Sequence, residues 1–275
     1  MSKIIDLKPF PNNISTIIEY QPFDTNQKIE LPTKTIIRIY GLAGAGKGTA
    51  AKLICQKLNI ANLETSYILR SATWIYRNLA LEYSEVNTDF VFEQLQVQFF
   101  DHKLHFFWQN EPLTDIQLRS NLVQENIAWY SGQPYFRNKY YEFIKKIFVE
   151  YIDAPFVLDG RGITTPYLNF AIENGFKVIP LFFWIDDATN YSRYRTAYLT
   201  RSGLETLSDA AEQALHLEFQ KNILDRNQKD YQNCIDLSIG TLTPDTGIID
   251  TSGLTPEKVL EVAMRRIVEV VGGLE

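Results

Sequence analysis

A glycine-rich segment, Gly41–Thr49 with the sequence GLAGAGKGT, lies directly between a β-branched run and a helical pattern. Thr35–Tyr40 (TIIRIY) has strand character, and residues 47–58 carry apolar side chains at helical spacing. Glycines at such a junction let the backbone turn its N–H groups inward, and the following helix adds its positive N-terminal end. The sequence therefore predicts a strand, a phosphate-binding loop and a helix.

The loop fits the first seven positions of the pattern GxxxxGK[ST]. The predicted nucleotide-binding residues are Gly41, Gly44, Ala45, Gly46, Lys47, Gly48 and Thr49. Lys47 is expected to reach the β- and γ-phosphates as a point charge, and Gly48 displaces the usual hydroxyl ligand of Mg²⁺ by one residue, to Thr49. The alternative, a glycine-rich turn that binds nothing, agrees less well with a lysine at the required position.

Later strand-like runs alternate with helical stretches, namely Pro155–Leu158, Val178–Ile185 and Gly247–Ile249. This alternation favours an α/β fold with a mostly parallel sheet covered by helices. Together with the phosphate loop, it leads us to expect a three-layer P-loop fold in which a central, parallel, five-stranded sheet is flanked by helices.

The domain organisation is predicted from changes in composition. Residues 1–34, with four prolines, are interpreted as an N-terminal extension, and residues 35–275 as one domain. An aromatic insert over about 65–154 is expected to contain helical patches such as Val91–Phe100 and Tyr140–Phe148. Helices are expected again over residues 187–232.

Composition narrows the function classes. The 27 Lys and Arg against 33 Asp and Glu give a net charge of −6, which argues against nucleic-acid binding. Cys55 and Cys234 are too few for a disulfide framework, and no apolar run is long enough to cross a bilayer. We therefore expect a cytoplasmic monomer that binds small molecules and neither nucleic acid nor membrane.

The GAGKGT form resembles the nucleoside monophosphate kinases, in which Gly-Thr follows the lysine, and the order of later motifs resembles the cytidylate kinase family. The resemblance covers about residues 35–271. It implies transfer of the γ-phosphoryl group of ATP, with Mg²⁺, to a nucleoside monophosphate, in the first place CMP or dCMP. Such a reaction gathers several negative charges, so arginines from separate segments are expected at the site.

Two segments of the insert resemble the family's acceptor-binding segments. LETSYILR implies Thr65 and Arg70 as ligands of the acceptor phosphate, with Arg77 in IYRNLA as a rival for the arginine. NEPLTDIQLRSNLVQ implies Arg119 near the cytosine; the alternative is an arginine that caps or decorates a helix.

The segment FVLDGR resembles the family's third strand. The resemblance implies that Asp159, at the strand end beside the phosphate loop, holds Mg²⁺, and that Arg161 contacts the acceptor phosphate. The alternative for Asp159 is a turn former.

Two segments near the C-terminus resemble the family's lid and the motif that follows it. DDATNYSRYRTAY resembles the entrance to a lid over about 187–219, which implies that Arg193 or Arg195 closes over the donor phosphates. The two arginines lie on different faces of a helix, and Arg195 is nearer the family position. LDRNQKDY is similar to the family's Arg-Asp-x-x-Asp segment, which implies that Arg226 neutralises charge on the transferring group and that Asp230 binds the substrate. The alternative for this segment is a solvated charged helix.

Three positions depart from the family pattern. Gly162 stands where an Asp commonly helps to recognise the cytosine, Asn233 replaces an arginine, and Asn227 replaces an acid. Loss of a hydrogen-bond acceptor for the base leaves the choice of base open. Two alternative functions also stay open, a kinase with another small-molecule acceptor and a regulatory nucleotide-binding module without turnover.

Overall fold

The structure is a computed structural model, which describes residues 18–151, 153–160, 165–228 and 247–272. Its strands are β1 (Thr35–Gly41), β2 (Ala61–Glu64), β3 (Gln96–Phe100), β4 (Lys103–Trp108), β5 (Glu111–Pro112), β6 (Phe156–Asp159), β7 (Lys177–Trp184) and β8 (Gly247–Asp250). Its helices are α1 (Lys47–Leu58), α2 (Thr65–Asn78), α3 (Glu85–Gln94), α4 (Asp115–Leu118), α5 (Asn121–Gly132), α6 (Pro134–Glu150), α7 (Thr165–Glu173), α8 (Asp187–Ser202), α9 (Asp209–Phe219) and α10 (Pro256–Val271). A π-helical turn, Gln220–Leu224, follows α9.

The chain forms two compact units, and β1, α1 and β7 each contribute residues to both. Unit 1 takes described residues within Met1–Ile29, Arg38–Ile54 and Ile179–Glu275, and its strand order is β1-β7-β8. Unit 2 takes Glu30–Ile37 and Cys55–Val178, and its strand order is β3-β4-β2-β6-β1, with β5 paired to β4.

Strand pairing confirms the predicted α/β class with a mostly parallel sheet flanked by helices. In unit 2, β2 runs parallel to β6 with Glu64 opposite Asp159, and in unit 1, β7 runs parallel to β8. The sheet has eight strands in the described residues rather than five, because β3, β4 and β5 from the predicted insert join it.

The expectation of one helical patch over Val91–Phe100 is wrong for its second half. The apolar spacing in VFEQLQVQFF fits a helix, but α3 ends at Gln94 and the next residues form β3. Asp101 and His102 have φ of 50° and 60° and make the two-residue turn that pairs β3 with β4 in antiparallel register. The second patch, Tyr140–Phe148, is helical and lies within α6.

The aromatic residues of the insert form the core of unit 2. Tyr76 of α2 and Phe136 of α6 are fully buried in one cluster with Leu63 of β2 and Leu158 of β6. Tyr76 also packs against Tyr130, with ring centroids 4.7 Å apart. Burial of large aromatic side chains supplies much of the apolar contact area of a domain, which explains the composition of this segment.

Residues 18–29 of the predicted extension belong to unit 1, and residues 30–34 belong to unit 2. The Ile18 N–H donates to the Ile248 carbonyl of β8 at 2.8 Å, and the Tyr20 hydroxyl donates to Glu261 of α10 at 3.0 Å. The boundary at residue 34, the insert and the lid stay predictions. None of the helices in the described ranges combines the length and apolarity needed to cross a membrane.

Candidate active site

The turn after β1 is shaped by a close approach to β7 in unit 1. The Leu42 N–H donates to the Phe183 carbonyl at 3.0 Å. Gly41 has φ 126°, and a Cβ atom there would lie 2.2 Å from the same carbonyl oxygen. A side chain at position 41 is therefore excluded by strand β7 and by backbone conformation.

The loop enters α1 with the geometry expected for phosphate binding. Gly44 and Gly46 have positive φ, and α1 begins at Lys47, whose ammonium donates to the Leu42 carbonyl at 2.6 Å. The first turn of α1, which includes Thr49, contains no acidic residue. No carboxylate in this turn therefore neutralises the positive N-terminal end of α1, and this end favours binding of an anion.

Two buried asparagines hold the peptide of Ala43 in this loop. Asn227 accepts from the Ala43 N–H at 2.8 Å and donates to the Ala43 carbonyl at 3.4 Å. Asn190 of α8 donates to the same carbonyl at 2.9 Å. The two asparagines are 1% and 2% exposed, respectively. Sequence analysis missed both, since Asn227 stood out only as a departure from a family pattern.

The two arginines of α8 have different partners. Arg193 donates to the Gly44 carbonyl of the loop at 3.3 Å and to the Thr251 carbonyl at 2.7 Å. Arg195 forms an ion pair with Glu212 of α9, with 2.8 Å between Nε and Oε2. Hydrogen bonds from Tyr191 and then Arg195 hold the pKa of Glu212 below its ordinary value. The assignment of Arg195 to the donor phosphates stays a prediction.

The remaining predicted residues of the C-terminal motifs are only partly described. Arg226 lies one residue after the start of the helical segment that follows the π-helical turn, and its side chain is partly exposed. Arg161 and Asp230 lie outside the described residues, as do the departures at Gly162 and Asn233.

Thr65 and Asp159 meet in unit 2 at the carboxyl ends of β2 and β6. The Thr65 hydroxyl donates to the Asp159 carbonyl at 3.3 Å. A Cβ atom at Gly160 would lie 2.1 Å from that hydroxyl oxygen, so this approach requires glycine. Asp159 is buried, and its charge adds to the effect of burial in raising the pKa of Cys55 to about 12.

Arg70 and Arg119 lie beside α4 in unit 2. Arg70 donates to the Leu118 carbonyl at 3.0 Å, and Arg119 donates to the Tyr67 hydroxyl at 2.9 Å. Tyr67 in turn donates to Asp115 at 2.7 Å. Burial and the hydrogen bond to Asp115 raise the pKa of Tyr67 to about 12, so its hydroxyl keeps its proton at physiological pH. Arg77, the rival of Arg70, is exposed two helical turns further along α2.

A small cavity of about 80 Å³ opens beside these residues. It is lined by Asn62, Glu64, Tyr67 and Asp115, with side chains of β4 and Leu113. The Asn62 Oδ1 atom is buried and has no hydrogen-bond partner in the described part of the chain. The uncompensated acceptor and the carboxylates of Glu64 and Asp115 can accept from N–H donors of a ligand, whereas Lys103 of β4 adds a cationic donor to the same lining.

The loop between β1 and α1, with positive φ at Gly44 and Gly46 and with Lys47 at the start of α1, is that of a P-loop protein. The sequence model of the cytidylate kinase family matches residues 37–269, and the chain belongs to that family. The predicted family is thus confirmed.

Similar proteins agree with this membership. A cytidylate kinase of Alkaliphilus oremlandii is 27% identical over 86% of this chain and 98% of its own, and one of Aquifex aeolicus is 28% identical over 85% and 96%. Among solved structures, shikimate kinase from Bacteroides thetaiotaomicron aligns over 86% of this chain and 98% of its own with 15% identity. Its TM-score of 0.42 is too low to add to the fold described above.

Proposed function

We propose that this chain is an ATP-dependent kinase that transfers the γ-phosphoryl group to CMP or dCMP, giving ADP and CDP or dCDP. The observation that carries this proposal is the phosphate loop between β1 and α1 in a chain of the cytidylate kinase family. Phosphoryl transfer needs little covalent chemistry from the protein, so positioning and charge neutralisation account for most of the catalysis.

On the donor side, backbone N–H groups of residues 44–49 and the Lys47 ammonium hold the phosphates of ATP. The uncompensated N-terminal end of α1 supports this role. Arg195 and Arg226 add positive charge around the transferring group, and Arg195 exchanges its ion pair with Glu212 for a phosphate when it does so.

Magnesium is the metal whose preferences fit the candidate ligands. The Thr49 hydroxyl and the Asp159 carboxylate are oxygen ligands, and no cluster of three or more His, Cys, Asp or Glu able to hold a metal occurs among the described residues. Mg²⁺ is commonly bound by one or two protein oxygens together with phosphates and water, and it neutralises charge on the phosphates.

On the acceptor side, Thr65, Arg70 and Arg161 hold the phosphate, Arg119 approaches the base, and Asp230 supports acceptor binding. The proximity of Thr65 to Asp159, and of Arg70 and Arg119 to α4, supports grouping these residues on one side of the reaction. These three hydrogen bonds lie within unit 2.

Arg70 and Arg77 provide a matched pair for testing the acceptor site. We expect Arg70→Ala to raise KM for CMP by about tenfold or more, because a charge-assisted hydrogen bond to phosphate is lost. Arg77→Ala should leave KM for CMP within about twofold of the wild type. Steady-state kinetics at saturating ATP make the comparison, and the opposite pattern would transfer the role to Arg77.

The cavity beside Tyr67 supports cytosine over uracil. Cytosine presents an exocyclic amine, which suits the acceptors of Asn62 and Asp115, whereas uracil presents a carbonyl at the same place. We expect Asp115→Asn to lower the ratio of kcat/KM for CMP to that for UMP by about tenfold, since an amide can donate to the carbonyl. An unchanged ratio would remove Asp115 from base selection.

The experiment that tests the proposed function measures ADP release from ATP and Mg²⁺ with CMP, dCMP, UMP, AMP, GMP or no acceptor. Stimulation by CMP or dCMP alone is the expected result. Stimulation by another monophosphate would show that the acceptor is that nucleotide and not CMP or dCMP. ATP binding without stimulation by any of them would favour a different acceptor or a regulatory module.

A further inference from the structure

The peptide of Ala43 is held by side chains from two separate segments of unit 1. Asn227 makes two hydrogen bonds to it, one through each atom of its amide, and Asn190 makes a third. Both asparagines are almost completely buried. A buried amide that is hydrogen-bonded holds its partner in place, because a buried polar group left without a partner is costly.

The loop needs such restraint. Three of its glycines, at 41, 44 and 46, have positive φ, and glycine loses more conformational freedom on ordering than any other residue. A phosphate-binding loop whose N–H groups are fixed in advance binds its ligand without that ordering cost. Ala43 immediately precedes Gly44, so its orientation determines how the following N–H groups are presented.

Asn227 uses both functions of its amide in this contact, whereas the acid that the family pattern has at this position could accept from the Ala43 N–H but not donate. Asn227 accepts from the Ala43 N–H and donates to the Ala43 carbonyl.

The π-helical turn, Gln220–Leu224, helps to direct Asn227 towards the loop. It lies between α9 and the helical residues that carry Asn227. A π-helical turn contains more residues than an α-helical one and so rotates the following side chains around the axis. Asn227 is buried there, while its neighbour Gln228 is exposed.

We propose that Asn227 is a positioning residue, which with Asn190 holds the Ala43 peptide so that the loop is preset for the triphosphate of the donor. This inference rests on the proposed donor site, but it concerns ATP affinity and makes no demand on the identity of the acceptor. Asn227, which departs from the family pattern, is thereby assigned a role in holding the phosphate loop.

The test compares Asn227→Ala, Asn227→Asp and the exposed control Gln228→Ala. Equilibrium binding of ATP, steady-state KM for each substrate and thermal unfolding are measured from pH 5 to pH 8. We expect ATP binding to be about tenfold weaker at pH 8 in both Asn227 variants, with KM for the acceptor and the control variant unchanged.

The two Asn227 variants should differ in their pH dependence. A protonated aspartic acid has both a donor and an acceptor and carries no charge, so the ATP affinity of Asn227→Asp should recover as pH falls through the pKa of the new carboxyl. Asn227→Ala lacks a titrating group and should stay weak throughout. A role in stability alone would give no recovery of affinity specific to the aspartate variant.

The outcomes separate this inference from the proposed function. Weaker ATP binding in the variants of a protein that phosphorylates no acceptor would support the positioning role and contradict the kinase. Wild-type ATP affinity in both Asn227 variants of an active kinase would overturn the inference alone. Should the Asn227 variants fail to fold, Asn190→Asp, which removes one donor to the Ala43 carbonyl, must weaken ATP binding in the same way or the inference fails.

Discussion

Lys47→Ala should lower the turnover of ATP and CMP by at least ~100-fold, which corresponds to about 2.7 kcal/mol of activation free energy. The Lys47 ammonium lies on the phosphate loop, held at 2.6 Å by the Leu42 carbonyl, at the first residue of α1. Without the Lys47 ammonium, the negative charge that develops on the phosphates in the transition state is no longer neutralised by this side chain. The measurement is kcat at saturating ATP and CMP.

Lys52→Ala is the matched control for this variant. Lys52 lies on the same helix, and its side chain is exposed. We expect its turnover to stay close to that of the wild type, and both variants to keep the far-UV circular dichroism of the folded protein. A Lys47→Ala enzyme as active as the wild type would contradict the assigned mechanism.

Gly41→Ala should strongly destabilise the fold. The new Cβ atom would lie 2.2 Å from the Phe183 carbonyl oxygen, and φ of 126° is unfavourable for any L side chain. Strain and overlap together should lower the free energy of unfolding by at least ~3 kcal/mol. Thermal unfolding should therefore begin roughly 6 °C or more below that of the wild type.

Gly175→Ala separates the overlap from the backbone strain. Gly175 also has a positive φ, 82°, but a Cβ atom there would meet nothing within 4 Å. We expect a loss of only about 1–2 kcal/mol, the cost of a left-handed conformation. Equal losses for the two variants would mean that the contact between Gly41 and β7 does not limit stability.

Much of the fold follows from local sequence patterns. The β1 strand, the glycine loop and α1 are predicted because period and composition change sharply within a few residues, and β6, β7 and β8 are short buried runs. The hairpin of β3 and β4 is not predicted. Its turn consists of Asp101 and His102, which lack the usual Asn-Gly signal, and its first strand has helical spacing.

The candidate site is predicted where a motif carries the chemistry and is missed where tertiary contacts do. The loop residues and Lys47 come from the pattern itself. The roles of Asn190 and Asn227 depend on two buried amides reaching one peptide from distant segments, for which neither sequence position gives a signal. The Tyr67 link between Arg119 and Asp115 is missed for the same reason.

The measurement that tests the central claim most directly follows a label from the γ-phosphate of ATP. The wild-type protein is incubated with γ-labelled ATP, Mg²⁺ and CMP, and the products are separated by chromatography. We expect the label in CDP, in amounts equal to the ADP formed, and labelled CDP to form at least ~100-fold more slowly with Lys47→Ala. Label found only in inorganic phosphate, or retained in ATP whatever the acceptor, would contradict the proposal that this chain is a nucleoside monophosphate kinase.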